Sequence, residues 1–219
     1  MYASLPCSRL LVGVDSSPLA ALIPDYLPRI QREFAAAVTV LLAAGAAVDP
    51  EAIAATGAEV IAADHTGPEP ARQAAAGAEL FVVVPATATL LAKLAAGVAD
   101  DSLSQAALAS PQPLVIAAAM TDQQWYGEPV AGHVRTLRAA GHYLIESGRT
   151  FPPDPADADT AKLATVGTLL LHLWHVQMRR LRQAYWPQAT ATAPRTPAAT
   201  KPVLVPIEQV TMRPANQLP

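Results

Sequence analysis

The 219-residue chain is 52% hydrophobic and 15% charged, with aromatics at 5% and a formal net charge of −3. It is long enough for one substantial domain plus an appendage, with a core of small Ala, Val and Leu side chains. Basic residues cluster only at Arg179, Arg180 and Arg182, which argues against a nucleic-acid binder, and the single Cys7 excludes an intrachain disulfide and a cysteine-based metal site.

RLLVGVD (residues 9–15) reads as a first buried strand. Ser16-Ser17-Pro18 then caps a helix over Leu19–Glu33, disturbed at Pro24 and Pro28. AVTVLL (37–42) reads as a second strand, Pro50–Ala55 as a short helix and EVIA (59–62) as a third strand. A Gly/Pro loop over His65–Pro70 leads to a helix at Ala71–Ala78. Leu80–Val84 is a strand buried on both faces, since its apolar run does not alternate. Helices follow at Leu90–Ala96, closed near Gly97, and at Ser102–Leu108, then a strand at Pro113–Ala117. Val130–Ala140 is a helix stopped by Gly141, and Tyr143–Ile145 a last strand. Strands alternating with helices imply a doubly wound, mainly parallel α/β sheet in residues 1–148. Residues 149–159 form a Pro/Asp linker. Thr160 opens a helix over 160–186, with Leu163, Val166, Leu169, Leu170, Leu173 and Leu181 on one apolar face that needs a partner. The Pro/Ala/Thr-rich tail, 187–219, cannot build its own core. The N-terminal segment lacks a charged n-region followed by a cleavage site, and LATVGTLLLHLWHV is too short to span a membrane. The expected location is cytoplasmic.

Two strands, ending near Pro85 and Met120, deliver polar loops to the same end of the sheet, where α/β proteins build a ligand crevice. Gly13 through Ser17 follow the first strand; N–H groups at a helix start with two hydroxyls suit a phosphate, or the serines simply cap. Asp100 and Asp101 read as an acid/base pair or as carboxylates that bind backbone amides. His172 and His175, at i and i+3, read as packing residues rather than metal ligands, since no third ligand is evident. The three arginines read as a solvated face or, alternatively, as a site for an acidic leader peptide or a phosphate. Cys7 has no visible base and is not taken as a nucleophile.

PATATLLAK, GVADDSLS, AAMTDQQW and, more loosely, GVDSSPLA occur in this chain, and together they resemble the motifs of the flavin-dependent cysteine decarboxylases. That family includes phosphopantothenoylcysteine decarboxylase, lantibiotic peptidyl-cysteine decarboxylases and halotolerance flavoproteins. The likeness covers about residues 8–147 and implies a flavodoxin-like fold, with FMN as cofactor. It places the FMN phosphate near Gly13, Ser16 and Ser17. The turn Pro85, Ala86, Thr87, Ala88 and Thr89 would wrap the cofactor, with Asp100 and Met120 nearby. It implies a homotrimer, or a dodecamer of such trimers, with flavin at the subunit interface. The family reaction oxidises a terminal cysteine to a thioaldehyde, which loses its carboxylate to give an enethiol.

Several positions depart from the family motifs. The family's acid–base histidine falls at Ala71; the nearest candidate is His65, which serves if its loop re-aligns and is otherwise a surface-loop histidine. The asparagine that holds the substrate carboxylate is Thr121, which offers one hydroxyl in place of an amide. Thr89, Ala118 and Gln124 also differ. The resemblance therefore implies an FMN-dependent tailoring enzyme acting on a peptide with a C-terminal cysteine. The alternatives are a flavin-holding regulatory subunit that works with a paralogue, or a flavin reductase or electron carrier. None of these readings involves nucleic acid or a membrane.

Overall fold

The computed structural model describes residues 7–34, 37–62, 68–148 and 160–185. Two compact units divide at Leu181 and Arg182, and the sheet with its flanking helices lies in the first. The linker over 149–159, the tail and His65 lie outside the described residues.

Six parallel strands form the body of the sheet: β1 (Arg9–Val14), β2 (Ala37–Leu42), β3 (Glu59–Ala62), β4 (Leu80–Ala86), β5 (Leu114–Met120) and β6 (Tyr143–Ile145). Their order is β3-β2-β1-β4-β5-β6, and a two-residue β7 (Lys162–Leu163) pairs antiparallel with the end of β5. The chain winds outward in one direction through β1, β2 and β3, then crosses back to lay β4 beside β1. This is the flavodoxin-like, doubly wound architecture, and its direction reverses between β1 and β4. β4 and β5 are buried at every position, which is why their sequences run apolar without alternation.

Alternate strand residues feed two cores. On one face, Leu10, Val12, Val14, Val40, Val82 and Val115 pack against Ile23, Leu27 and Ile30 of α1 (Ile23–Phe34) and Ile53 of α2 (Pro50–Ala54). On the other, Leu11, Phe81, Val83 and Ile116 meet four helices: α3 (Pro68–Gly77), α4 (Ala88–Ala96), α5 (Ser102–Ala109) and, beyond a short α6 (Asp122–Tyr126), α7 (Glu128–Ala139). The crossovers after β4 and β5 thus all lie on the second face. On the first face, the final helix α8 (Val166–Tyr185) adds Leu169, Leu173 and Val176 to the cluster that holds Val115, Ala117 and Ile145. The apolar face of this helix finds its partner in its own sheet. The Tyr26 hydroxyl donates to the Ala164 carbonyl at 3.0 Å, tying α1 to the chain that leads into α8.

Local differences from the sequence expectations have identifiable causes. The first helix splits into a 3-10 turn (Pro18–Leu22) and α1, with Pro24 in the first turn of α1 where its missing N–H costs nothing. β4 runs on through Pro85 to Ala86 because its register with β5 shifts between Val83 and Ala86, and such an irregularity accommodates a proline. β5 extends past Ala117, since Ala118 pairs with Ala86 and Ala119 with Leu163. Helix α8 starts at Val166 rather than Thr160. The hydroxyl of Thr165, not of Thr160, accepts from the Thr168 N–H at 3.2 Å.

Candidate functional site

A cleft of about 340 Å³ opens at the carboxyl ends of β1, β2 and β4, at the point where the winding reverses. Asp15, Ser16, Ala43, Ala44, Thr87, Thr89, Leu90, Lys93 and Asp101 line it. Three of the predicted site residues, Ser16, Thr87 and Thr89, therefore meet in one place.

Asp15 organises the cleft floor. Its Oδ2 accepts from both the N–H and the hydroxyl of Thr87, at 2.9 and 2.5 Å, and its Oδ1 accepts from the Ser16 N–H at 2.7 Å. The Thr87 hydroxyl also accepts from the Leu90 N–H at 3.2 Å, so one side chain caps α4 and bonds to Asp15. Asp15 itself is 7% exposed. The opposite wall, after β2, is Ala43 and Ala44, whose side chains offer no hydrogen bond.

At the mouth, Lys93 Nζ lies 2.8 Å from Asp100 Oδ1 and 2.7 Å from Asp101 Oδ2. The hydrogen bonds to Asp100 and then Asp101 hold the ammonium well above the ordinary lysine range. Burial pushes the Asp101 carboxyl up, but Lys93 and the Ser104 donors outweigh it and the net shift is downward. Asp101 caps α5 in a reciprocal box with Ser104. Of the two sequence readings of this acidic pair, Asp101 follows the second, accepting from the Ser104 N–H and Lys93, while Asp100 meets Lys93 and, at 3.5 Å, the Ser104 hydroxyl.

The remaining predicted residues sit elsewhere. A Cβ on Gly13 would fall 2.6 Å from Leu103 Cδ1 and 3.2 Å from Phe81 Cε2, so this glycine faces the second core. Ser17 is buried, and its hydroxyl accepts from the Leu19 N–H at 3.2 Å as a helix cap. Pro85 and Ala86 are buried strand residues, with the Pro85 carbonyl accepting from the Asp15 N–H at 3.3 Å. Ala88 is half-buried against the second core. Asp100 is at the rim, and Met120 is 1% exposed in the core. Thr121 caps α6 reciprocally with Gln124, at 3.1 and 3.2 Å. Ala71 is fully buried in the face that α3 turns to the second core.

Other side chains singled out from the sequence find structural duties. Cys7 is buried, and burial followed by the nearby Glu79 pushes its thiol up to about 11. Arg180 is not merely solvated: it donates to the Glu79 carbonyl, while Arg179 lies 5.9 Å over the Tyr143 ring. His172 Nδ1 lies 2.9 Å from the Thr168 carbonyl of its own helix. Among the described residues there is no group of three or more His, Cys, Asp or Glu able to hold a metal, and no helix long and apolar enough to cross a membrane. Sequence reasoning did not single out Asp15, Ala43 or Ala44. The available signal was an acid directly after a buried strand and before two serines.

Residues 20–175, well over half of the chain, match the family model described as Flavoprotein, and the chain belongs to that family. Over 99 residues it is 37% identical to the coenzyme A biosynthesis bifunctional protein CoaBC of Mycobacterium bovis, a match covering 43% of this chain. The chain spans 24% of that relative's length. Among solved structures, MrsD from a Bacillus species superposes with a TM-score of 0.65 at 23% identity, covering 78% of this chain and 96% of MrsD, which supports the shared fold. The FMN-dependent cysteine decarboxylase SpaF superposes with a TM-score of 0.61 at 29% identity, covering 78% of this chain and 96% of SpaF.

The cleft suits the body of a flavin: Ala43, Ala44 and Leu90 give apolar wall, and Ser16 and Thr89 give hydroxyls for a polyol chain. The Ser16 N–H after β1 and the Thr87 N–H and hydroxyl at the start of α4 are already engaged by Asp15.

Proposed function

We propose that the protein is an FMN-dependent enzyme that oxidatively decarboxylates the C-terminal cysteine of a peptide to an enethiol. The observation that carries this reading is the cleft at the β1–β4 reversal, built by the PATAT turn with Thr87 capping α4. When bound, FMN supplies the acceptor for the two electrons and two hydrogens that leave the substrate with carbon dioxide. The chain's own part is to position the cofactor. Thr89 and Ser16 would meet its hydroxylated chain, and Ala43, Ala44 and Leu90 would exclude water from one side. Lys93, locked between Asp100 and Asp101, fixes the start of α5 against α4. His65, three residues ahead of α3, is the proposed acid–base group. A homotrimer, or a dodecamer of trimers, with the open side of the cleft covered by a neighbouring copy completes the proposal.

Incubating the full chain with FMN and peptides ending in cysteine, read by mass spectrometry, tests it. Loss of carbon dioxide and two hydrogens is the expected product, and His65→Ala should abolish it. Unchanged peptide across varied sequences overturns the enzyme reading.

A second reading, a flavin-holding subunit that completes a paralogue's site, is favoured by one observation. The two positions where the motif chemistry would sit are spent structurally, Thr121 as a cap and Ala71 in the core. This reading predicts turnover only when the paralogue is added.

A further inference from the structure

Asp15 stands where the donors of the cleft converge. Its two oxygens take the Ser16 N–H, the Thr87 N–H and the Thr87 hydroxyl, at 2.7, 2.9 and 2.5 Å. These belong to the loop after β1 and to the start of α4, where an incoming phosphate would otherwise be met by N–H groups. At 7% exposure the carboxylate cannot swing into solvent without surrendering those bonds. Beyond these donors the cleft offers the hydroxyls of Thr89 and of Ser16, the latter itself 3.4 Å from Asp15 Oδ1. Ala43 and Ala44 have no side-chain donor, and the Ala43 N–H is already given to the Val14 carbonyl at 2.9 Å. Lys93, the one cation lining the cleft among the described residues, is held by two carboxylates.

A phosphate at this end would face a like charge, with the Ser16 N–H and both Thr87 donors already engaged. A neutral hydroxyl, by contrast, can donate to Asp15. We propose that Asp15 is a built-in anion that competes with the cofactor's phosphate, so that the chain holds FMN no more tightly than riboflavin. This rests on the flavin reading of the cleft. It makes Asp15 a specificity-determining residue and FMN an exchangeable cofactor whose phosphate contributes nothing to its retention.

Two like charges about 4 Å apart shift an equilibrium by about fivefold at water-like screening and by about a thousandfold at the screening of a partly buried site. Titration of the full chain with FMN and with riboflavin, followed by flavin fluorescence, measures the effect directly. The wild-type dissociation constants should agree within about threefold, since the phosphate's gain and loss cancel. Asp15→Asn, which keeps the shape and one acceptor, should tighten FMN by about tenfold or more while riboflavin changes by less than about threefold. Asp15→Thr should act in the same direction, and thermal unfolding of both variants checks that they fold. Should either variant fail to fold, the wild-type ratio still decides. Wild-type FMN binding about a hundredfold or more tighter than riboflavin overturns the proposal, as does a ratio unchanged in folded variants. Absence of binding by either flavin, to wild type and variants alike, overturns the flavin reading itself and this proposal with it.

Discussion

Replacing Gly13 with alanine separates a packing role from a cofactor role. The added Cβ would lie 2.6 Å from Leu103 Cδ1 and 3.2 Å from Phe81 Cε2. Carbon atoms in good contact sit about 3.5–4.0 Å apart, so the first overlap is about 1 Å. Leu103 is 1% exposed and Phe81 fully buried, so neither has open space to move into. Overpacking of this kind costs about 1–3 kcal/mol. For a chain of this size that lowers the melting temperature by about 3–10 °C. Chemical denaturation should show a lower midpoint with an unchanged slope. In the Gly13→Ala background, Leu103→Val should cost less than it does alone, because the same methyl group is the obstacle. Flavin affinity at a temperature where the variant is folded should stay within about threefold of wild type. A variant as stable as wild type, or additive effects of the two substitutions, would refute the packing argument. Full stability with lost flavin binding would restore Gly13 to the binding site.

Three further outcomes rest on particular contacts. His142 Nδ1 accepts the Leu114 N–H at 3.1 Å, and burial lowers its pKa below the ordinary 6.5. The folded state thus prefers the neutral ring; stability should be full above pH 6.5 and fall as pH drops through it, and His142→Asn should flatten that slope in pH-resolved denaturation. Leu173, fully buried between α8 and the sheet, should cost about 2–5 kcal/mol when cut to alanine, whereas Leu171→Ala, at a 70% exposed site on the same helix, should be near neutral by thermal melting. The Ser147 hydroxyl is buried without a partner among the described residues, so Ser147→Ala should be neutral or stabilising by up to about 1 kcal/mol, and a clear loss would point to an unseen partner.

Much of the scaffold was legible because a parallel sheet covered on both faces leaves uninterrupted apolar runs such as Leu80–Val84, and because Gly97 ends its helix in the left-handed conformation that glycine tolerates. The two-residue β7 and five-residue α6 escaped notice, being shorter than any periodicity can reveal. Ala118 and Ala119 could not be read as strand because alanine carries little strand preference; their ladder partners decide the matter. The apolar face of α8 was legible at Leu169 and Leu173, but periodicity cannot name the surface it covers. At the cleft, the PATAT turn was legible as a motif. Asp15 was not, because its role depends on Thr87, 72 positions away, and only the fold brings the two together.

We propose that this flavoprotein binds its cofactor in the cleft between the ends of β1, β2 and β4. Ala44 is exposed on the cleft wall, so Ala44→Trp should fill the opening without touching either core. The direct measurement is an FMN fluorescence titration of wild type and this variant. Saturable binding by wild type, weakened about tenfold or more in a variant that melts at the wild-type temperature, is the predicted result. Equal binding by both proteins would contradict the placement of the site, and no binding by wild type would contradict the claim as a whole.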